Sequence, residues 1–169
     1  IYAVPAGKIK MIYHGTPDFT SLDNGHYKKR FKVEGKQTLL TFGLLSPNKG
    51  IETVIKALPK IVQEFPQLIY VVLGKTHPNV LKEYGEKYRS SLVALVEELG
   101  LQEHVIFDNR FVSLEELYAW LMAADIYITP YLNEAQIVSG TLSYEIGAGN
   151  AIISTQYWFI SKSSVGTLI

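Results

Sequence analysis

The 169-residue chain contains no cysteine. That excludes disulfides and thiolate metal sites, and it fits the reducing cytoplasm in which the protein is expected. Charge of one sign is lacking too: sixteen Lys and Arg balance sixteen Asp and Glu. The basic footprint on which nucleic-acid binders rely is therefore absent, and no nucleic-acid partner is expected. No apolar run reaches the roughly eighteen residues that would cross a bilayer, and no basic amphipathic helix marks a membrane surface. The start, Ile1-Tyr-Ala-Val-Pro-Ala-Gly-Lys8, lacks both an initiator Met and the charged-then-apolar order of a signal peptide. An excised domain is the expectation. Neither a repeat nor a low-complexity segment interrupts the chain. With 47% apolar and 19% charged residues, what remains is one ordinary globular domain.

Strand-like and helix-like patterns alternate from end to end. Short apolar runs at Lys10 to Tyr13, Thr38 to Phe42, Leu68 to Leu73, Val105 to Phe107, Asp125 to Thr129 and Ala151 to Ser154 predict strands. Between them, Ile51, Val54, Ile55, Leu58, Ile61 and Val62 recur at helical spacing until Pro66. A long helix is predicted from Val80 to Leu99 on the stripe Leu81, Tyr84, Tyr88, Leu92, Leu95, Val96 and Leu99, with Gly100 closing it. Ser113 and Glu116 stand as a capping box before a helix carrying Leu117, Leu121 and Met122. A small-residue helix is predicted from Gly140 to Ala148. Near-continuous apolar strands alternating with helices imply an α/β fold with a parallel sheet covered on both faces. In such sheets ligands bind at the carboxyl ends of the strands, where the winding reverses.

Three loops on that edge hold candidate chemistry. The first, Gly43 to Gly50, contains Gly43, Ser46 and Lys49. Lys49, just before a helix start, is either a point charge for a diphosphate or an exposed lysine in a polar turn. The fingerprint G-x-G-x-x-G is absent, which counts against a dinucleotide. The second loop follows Pro130 and ends in Ser139-Gly140-Thr141, opening a helix whose free N–H groups and two hydroxyls suit an anion or form an ordinary N-cap. Within it, Glu134 and Gln136 either bond sugar hydroxyls or face solvent, and Glu145 on the helix is expected to face water as readily as the interior. The third is Phe107 to Ser113. There Arg110 meets a phosphate, a base edge or a surface carboxylate, and Phe111 stacks on a base or packs on the sheet. His14, His26, His77 and His104 are scattered, so no metal site is expected.

Read together, these pieces resemble the group 1 (family 4) glycosyltransferases, retaining enzymes of the two-domain GT-B architecture, each half a Rossmann-like doubly wound parallel sheet. The likeness is to the C-terminal, donor-binding half and runs from about Val4 to Thr155. It rests on Pro5 to Phe19, Thr41-Phe-Gly-Leu-Leu-Ser-Pro-Asn-Lys-Gly-Ile51, Leu117 to Pro130 and Gly147-Ala-Gly-Asn-Ala-Ile-Ile-Ser-Thr155, four motifs in the family's order. On that basis residues 1–20 are expected to be a domain-crossing segment and residues 21–169 a single nucleotide-sugar-binding domain.

The resemblance implies that Lys49 holds the donor diphosphate. Gln136, Ile137, Val138, Ser139, Gly140 and Thr141 would hold phosphate and donor sugar through backbone N–H groups, and Asn109, Arg110 and Val112 would border the nucleobase. Two departures stand out. Leu44 occupies the place of the family's Arg, and the paired glutamates E-x7-E are broken, with Tyr144 where the ribose-binding carboxylate would be. The implied activity is transfer of a hexose from a nucleotide sugar to a glycan or lipid-linked acceptor, with no cofactor besides the GDP- or UDP-linked donor. The altered loop inclines that donor towards GDP-mannose. The acceptor would bind a missing N-terminal domain, through which membrane association would also arise. The rivals are a sugar-nucleotide epimerase or phosphorylase of the same architecture and a non-catalytic nucleotide- or phosphate-binding module.

Overall fold

The structure, a computed structural model, describes residues 5–10, 15, 24–135 and 139–156. Of the expected strand at Lys10 to Tyr13 all but Lys10 lies outside these, as do His14, Gln136, Ile137 and Val138.

Five parallel strands form the centre: β1 (Gln37–Phe42), β2 (Leu68–Leu73), β3 (Val105–Asp108), β4 (Ile126–Thr129) and β5 (Ala151–Ser154), in the order β3-β2-β1-β4-β5. Every residue of β2 is buried, as a central strand covered on both faces requires. Successive side chains go to opposite cores. Leu40, Phe42, Ile69, Val71 and Leu73 join Trp120, Leu121 and Tyr127 on one face, while Leu39, Tyr70 and Val72 join Ile51, Ile55, Leu58, Leu92 and Val96 on the other. The second core is the buried stripe of α2 (Ile51–Glu64) together with α4 (Lys87–Glu98). The first is closed by α5 (Leu114–Ala123) and α6 (Gly140–Ala148). The winding reverses between β1 and β4. There the sheet is knit by two register pairs, Leu39 to Ile126 and Leu40 to Tyr127, against six between β1 and β2.

The predicted helix from Val80 to Leu99 is in fact two, α3 (Pro78–Tyr84) and α4. Gly85 separates them with φ +63° and donates its N–H to Leu81 O, which ends α3. The expected stripe fails at its start, because Leu81 and Tyr84 are 46% and 55% exposed. α4 is instead anchored by Arg89, a buried guanidinium bonded to Gly74 O at the end of β2. One helix was not anticipated, α1 (Asn24–Arg30). It is followed by Phe31, stacked on Trp120 of α5 with centroids 3.8 Å apart, and Lys28 pairs with Asp125. Ser113 does cap α5, accepting from Glu116 N at 3.2 Å. The reciprocal half of the expected box is displaced, since the Glu116 carboxylate goes to Arg110.

Candidate functional site

The loop after β1 and the loop after β4 meet at the carboxyl edge of the sheet, at the reversal of winding. Pro47–Lys49 forms one 3₁₀ turn, and Gly50 follows with φ +62°. A Cβ on Gly50 would lie 2.1 Å from Pro130 O, so only glycine lets the two loops approach this closely. Leu132 N donates to Asn48 O at 3.0 Å and joins the loops again.

This docking delivers Lys49 across the seam. Its Nζ donates to Tyr131 Oη at 2.7 Å and to Phe42 O at 3.3 Å, and lies 4.6 Å from the Tyr131 ring centroid. Tyr131 Oη is 2.9 Å from Thr141 Oγ1, and Thr141 Oγ1 is 3.1 Å from Ser139 Oγ. Ser139 is the N-cap of α6 and accepts from Leu142 N. Gly43 completes the cluster with φ +115°: a Cβ there would come 3.1 Å from Lys49 Nζ and 3.3 Å from Thr141 Cγ2. One cation, three hydroxyls and the N–H end of a helix thus converge beside a residue without a side chain. Such a grouping can hold an anionic oxygen. Burial alone would raise the Tyr131 phenol, but the Lys49 charge and the hydrogen bonds to Lys49, Thr141 and Ser139 outweigh it and hold the phenol below its ordinary value.

Of the sequence-predicted residues, Gly43, Lys49, Ser139, Gly140 and Thr141 are brought together. Ser46 stands one step back, its carbonyl closing the Pro47–Lys49 turn. Beside Gly43 a cavity of about 180 Å³ is bordered by Leu44, Arg110 and Val112, where the nucleobase loop was expected. Arg110 there grips Asp108 at 2.6 and 2.9 Å and Glu116 at 2.7 Å, so of the three partners expected for it, carboxylates hold it. Phe111 does not pack on the sheet; it is 80% exposed. Asn109 and Glu134 are exposed. Tyr144 packs its ring against Phe42 and Tyr118. Glu145, expected to face water as readily as the interior, has 0% exposure. Its Oε2 accepts from Asn150 Nδ2 at 2.8 Å, Oε1 has no partner among the described residues, and burial pushes the carboxyl up to about 8. Sequence alone gives Tyr131 no role; its one signal is its place directly after the strand-ending Pro130.

A cavity of about 630 Å³ lies between α2 and the β4–β5 face and is lined by apolar side chains such as Ala57, Ile126, Ile128 and Ile153. It holds none of the converging groups. Among the described residues no three His, Asp or Glu side chains cluster as metal ligands would, and no helix is long and apolar enough to cross a membrane.

Comparison with known proteins agrees with this architecture. Residues 25–136 match the family model of the Glycosyl transferases group 1. A putative glycosyltransferase, YtcC of Bacillus subtilis, is 26% identical over 76% of this chain and 30% of its own length. A GDP-mannose-dependent alpha-(1-6)-phosphatidylinositol monomannoside mannosyltransferase of Mycolicibacterium smegmatis is 27% identical over 61% of this chain and 24% of its own. The chain thus spans 24% to 30% of the length of these relatives. Among solved structures, Anabaena Alr3699/HepE in complex with UDP-glucose superposes with a TM-score of 0.76 at 18% identity, over 95% of this chain and 42% of that one. The C-terminal domain of a glycosyl transferase group 1 family protein (LpcC) from Francisella tularensis does so with 0.66 at 22% identity, over 82% and 66%. With the family model covering more than half of its residues and a parallel sheet shared with GT-B enzymes, the chain belongs to the group 1 glycosyltransferases.

Proposed function

We propose that this domain holds the nucleoside diphosphate of a nucleotide-sugar donor while its hexose is transferred, with retention, to a glycan or lipid-linked acceptor. The observation that carries this is the convergence of the Lys49 ammonium and the head of α6 across Gly43. When the glycosidic bond breaks, negative charge builds on the departing diphosphate. A fixed cation and prealigned N–H groups stabilise that charge without reorganising. No metal is needed where they neutralise the diphosphate. Arg110 and Val112 border the space next to Gly43 in which a base would lie, and Glu134, Asn109 and the 136–138 segment remain candidates for the sugar and base. Because the chain spans a minor part of its relatives, acceptor binding is assigned to the rest of the protein, and donor binding without turnover to this part.

Two donors have support. One relative is named as GDP-mannose-dependent, and one neighbour holds UDP-glucose. Calorimetric titration of the chain with GDP, UDP and ADP separates them, and Lys49→Ala tests the site. Saturable binding of one nucleotide, weakened about tenfold by the substitution (about 1.4 kcal/mol), is expected. Binding that Lys49→Ala leaves unchanged, or none at millimolar nucleotide, would overturn the proposal. Leu44 and Tyr144, which stand where the family has polar donor contacts, favour a second reading as a non-catalytic phosphate-binding module; sugar transfer by the complete protein would exclude it.

A further inference from the structure

Tyr131 does more than fill the seam. Its side chain is almost fully buried directly after β4, and its backbone is fixed from the far side by Thr155 Oγ1, which donates to Tyr131 O at 2.7 Å. An ammonium can only donate, so in the 2.7 Å contact the phenolic oxygen accepts from Lys49. The phenolic proton is then left for the α6 hydroxyls, Thr141 Oγ1 at 2.9 Å and Ser139 beside it. Thr141 in turn can give its proton to Ser139 Oγ at 3.1 Å. The charge on Lys49 thereby sets the direction of the whole hydroxyl chain, with protons running from the ammonium towards the head of α6. The ring adds a second hold, since a cation this near an aromatic face is attracted to it. Lysine has a long flexible stem, and beside Tyr131 a 3.3 Å bond to Phe42 O restrains its end.

We propose that Tyr131 is the positioning residue for Lys49, holding the ammonium beside Gly43 and orienting the Thr141 and Ser139 hydroxyls, so that a phosphate arriving at the head of α6 meets a preset cation and donors. This rests on the assignment of Lys49 to the donor diphosphate. It also makes the phenol a built-in competitor of the ligand. Once deprotonated, Tyr131 is itself the anion paired with Lys49, and a phosphate is repelled. The charged group facing the phenol from the β1–α2 loop is Lys49; Ser139 and Thr141, facing it from α6, are uncharged. Lys49 lowers the phenol despite its burial. Anion affinity therefore falls as pH rises through the Tyr131 titration, and Tyr131→Phe removes that loss.

The test is titration of the 169-residue chain with inorganic pyrophosphate and with UDP and GDP between pH 7 and 10, in wild type, Tyr131→Phe, Lys49→Ala and the double variant. At pH 7 Tyr131→Phe is expected to weaken pyrophosphate by about five- to tenfold. Between pH 7 and 10 it should lose less of its affinity than wild type does. The double variant should bind no more weakly than Lys49→Ala, because the phenol acts through the lysine. If Tyr131→Phe binds and titrates like wild type while Lys49→Ala is weakened, the positioning role is refuted and the donor site stands. If Lys49→Ala is not weakened either, the donor site fails and the positioning role with it. Should Tyr131→Phe not fold, Thr141→Val carries the test with the ring in place; unchanged pyrophosphate affinity there refutes the proposal.

Discussion

Glu145→Gln should change how the stability of this domain depends on pH. The Glu145 carboxyl is completely buried, with one hydrogen bond from Asn150 and, among the described residues, none to Oε1. Burial lifts it from 4.5 to about 8. The unfolded chain ionises this group near 4.5, while the folded chain keeps it protonated to about 8. The folded state therefore binds the extra proton, and stability is lost as pH rises through that window. Each pH unit removes about 1.4 kcal/mol while the two states differ by one proton. Over the whole window the loss is on the order of 5 kcal/mol, and at pH 7 on the order of 3. Glutamine has no proton to give up, so its stability should lack this slope. Its amide oxygen can take the Asn150 bond, leaving the NH₂ where Oε1 lacked a partner, at roughly 1–2 kcal/mol. The two effects nearly offset near pH 6, and above it the variant should be the more stable. A shift of about 2–4 °C per kcal/mol is expected for a chain of this length. Thermal melts followed by circular dichroism at half-unit steps from pH 5 to 9 measure both slopes. Wild-type and Glu145→Gln melting temperatures that run parallel across this range would refute the argument, since they would mean that Glu145 ionises in the fold as it does in the open chain.

Two further outcomes follow from the packing. Gly50→Ala should lower stability by more than about 2 kcal/mol, combining a φ of +62° with a Cβ driven to 2.1 Å from Pro130 O; a urea midpoint like that of wild type would refute the docking of the two loops. Asp125→Ala should lower it by about 2 kcal/mol, because Asp125 Oδ2 accepts from both Lys28 Nζ and Thr38 N; denaturation should show the loss, and faster amide exchange at Thr38 should accompany it.

Short apolar runs and glycine-bounded segments were easily read, β2 most plainly because it is buried on both faces. Leu68–Leu73, Gly140–Ala148 and Ala151–Ser154 have the bounds expected of them. The α3–α4 break was not visible, because Leu81, Tyr84 and Tyr88 keep helical spacing straight across Gly85, and spacing is blind to a single left-handed residue. α1 was missed because its segment is mostly polar and is held by Phe31 on Trp120 and Lys28 on Asp125, contacts that span much of the chain. Glu145 was expected to face water as readily as the interior, since a carboxylate among small residues carries no sign of what covers it. At the site, Lys49 and the Ser139 to Thr141 opening could be named from loop chemistry. Tyr131 could not, because its role exists only once two loops from strands almost ninety residues apart lie against each other.

The thin seam between β1 and β4 bears on the order in which the molecule is built. Strands β1, β2 and β3 pair with sequence neighbours through single crossovers, and their loop closures are short. β4 must find β1 across the intervening β2 and β3 units, with two register pairs to reward it, aided by Asp125 on Thr38 and Thr41 Oγ1 on Ile128 O. Non-local pairings of this kind are slow to form. The cluster of Lys49, Tyr131 and Thr141 straddles that junction, so the pairing of β4 with β1 is also the step that creates it. A nascent or partly opened chain has no place for the anion, and any ligand held there tightens the weakest joint in the sheet by mass action.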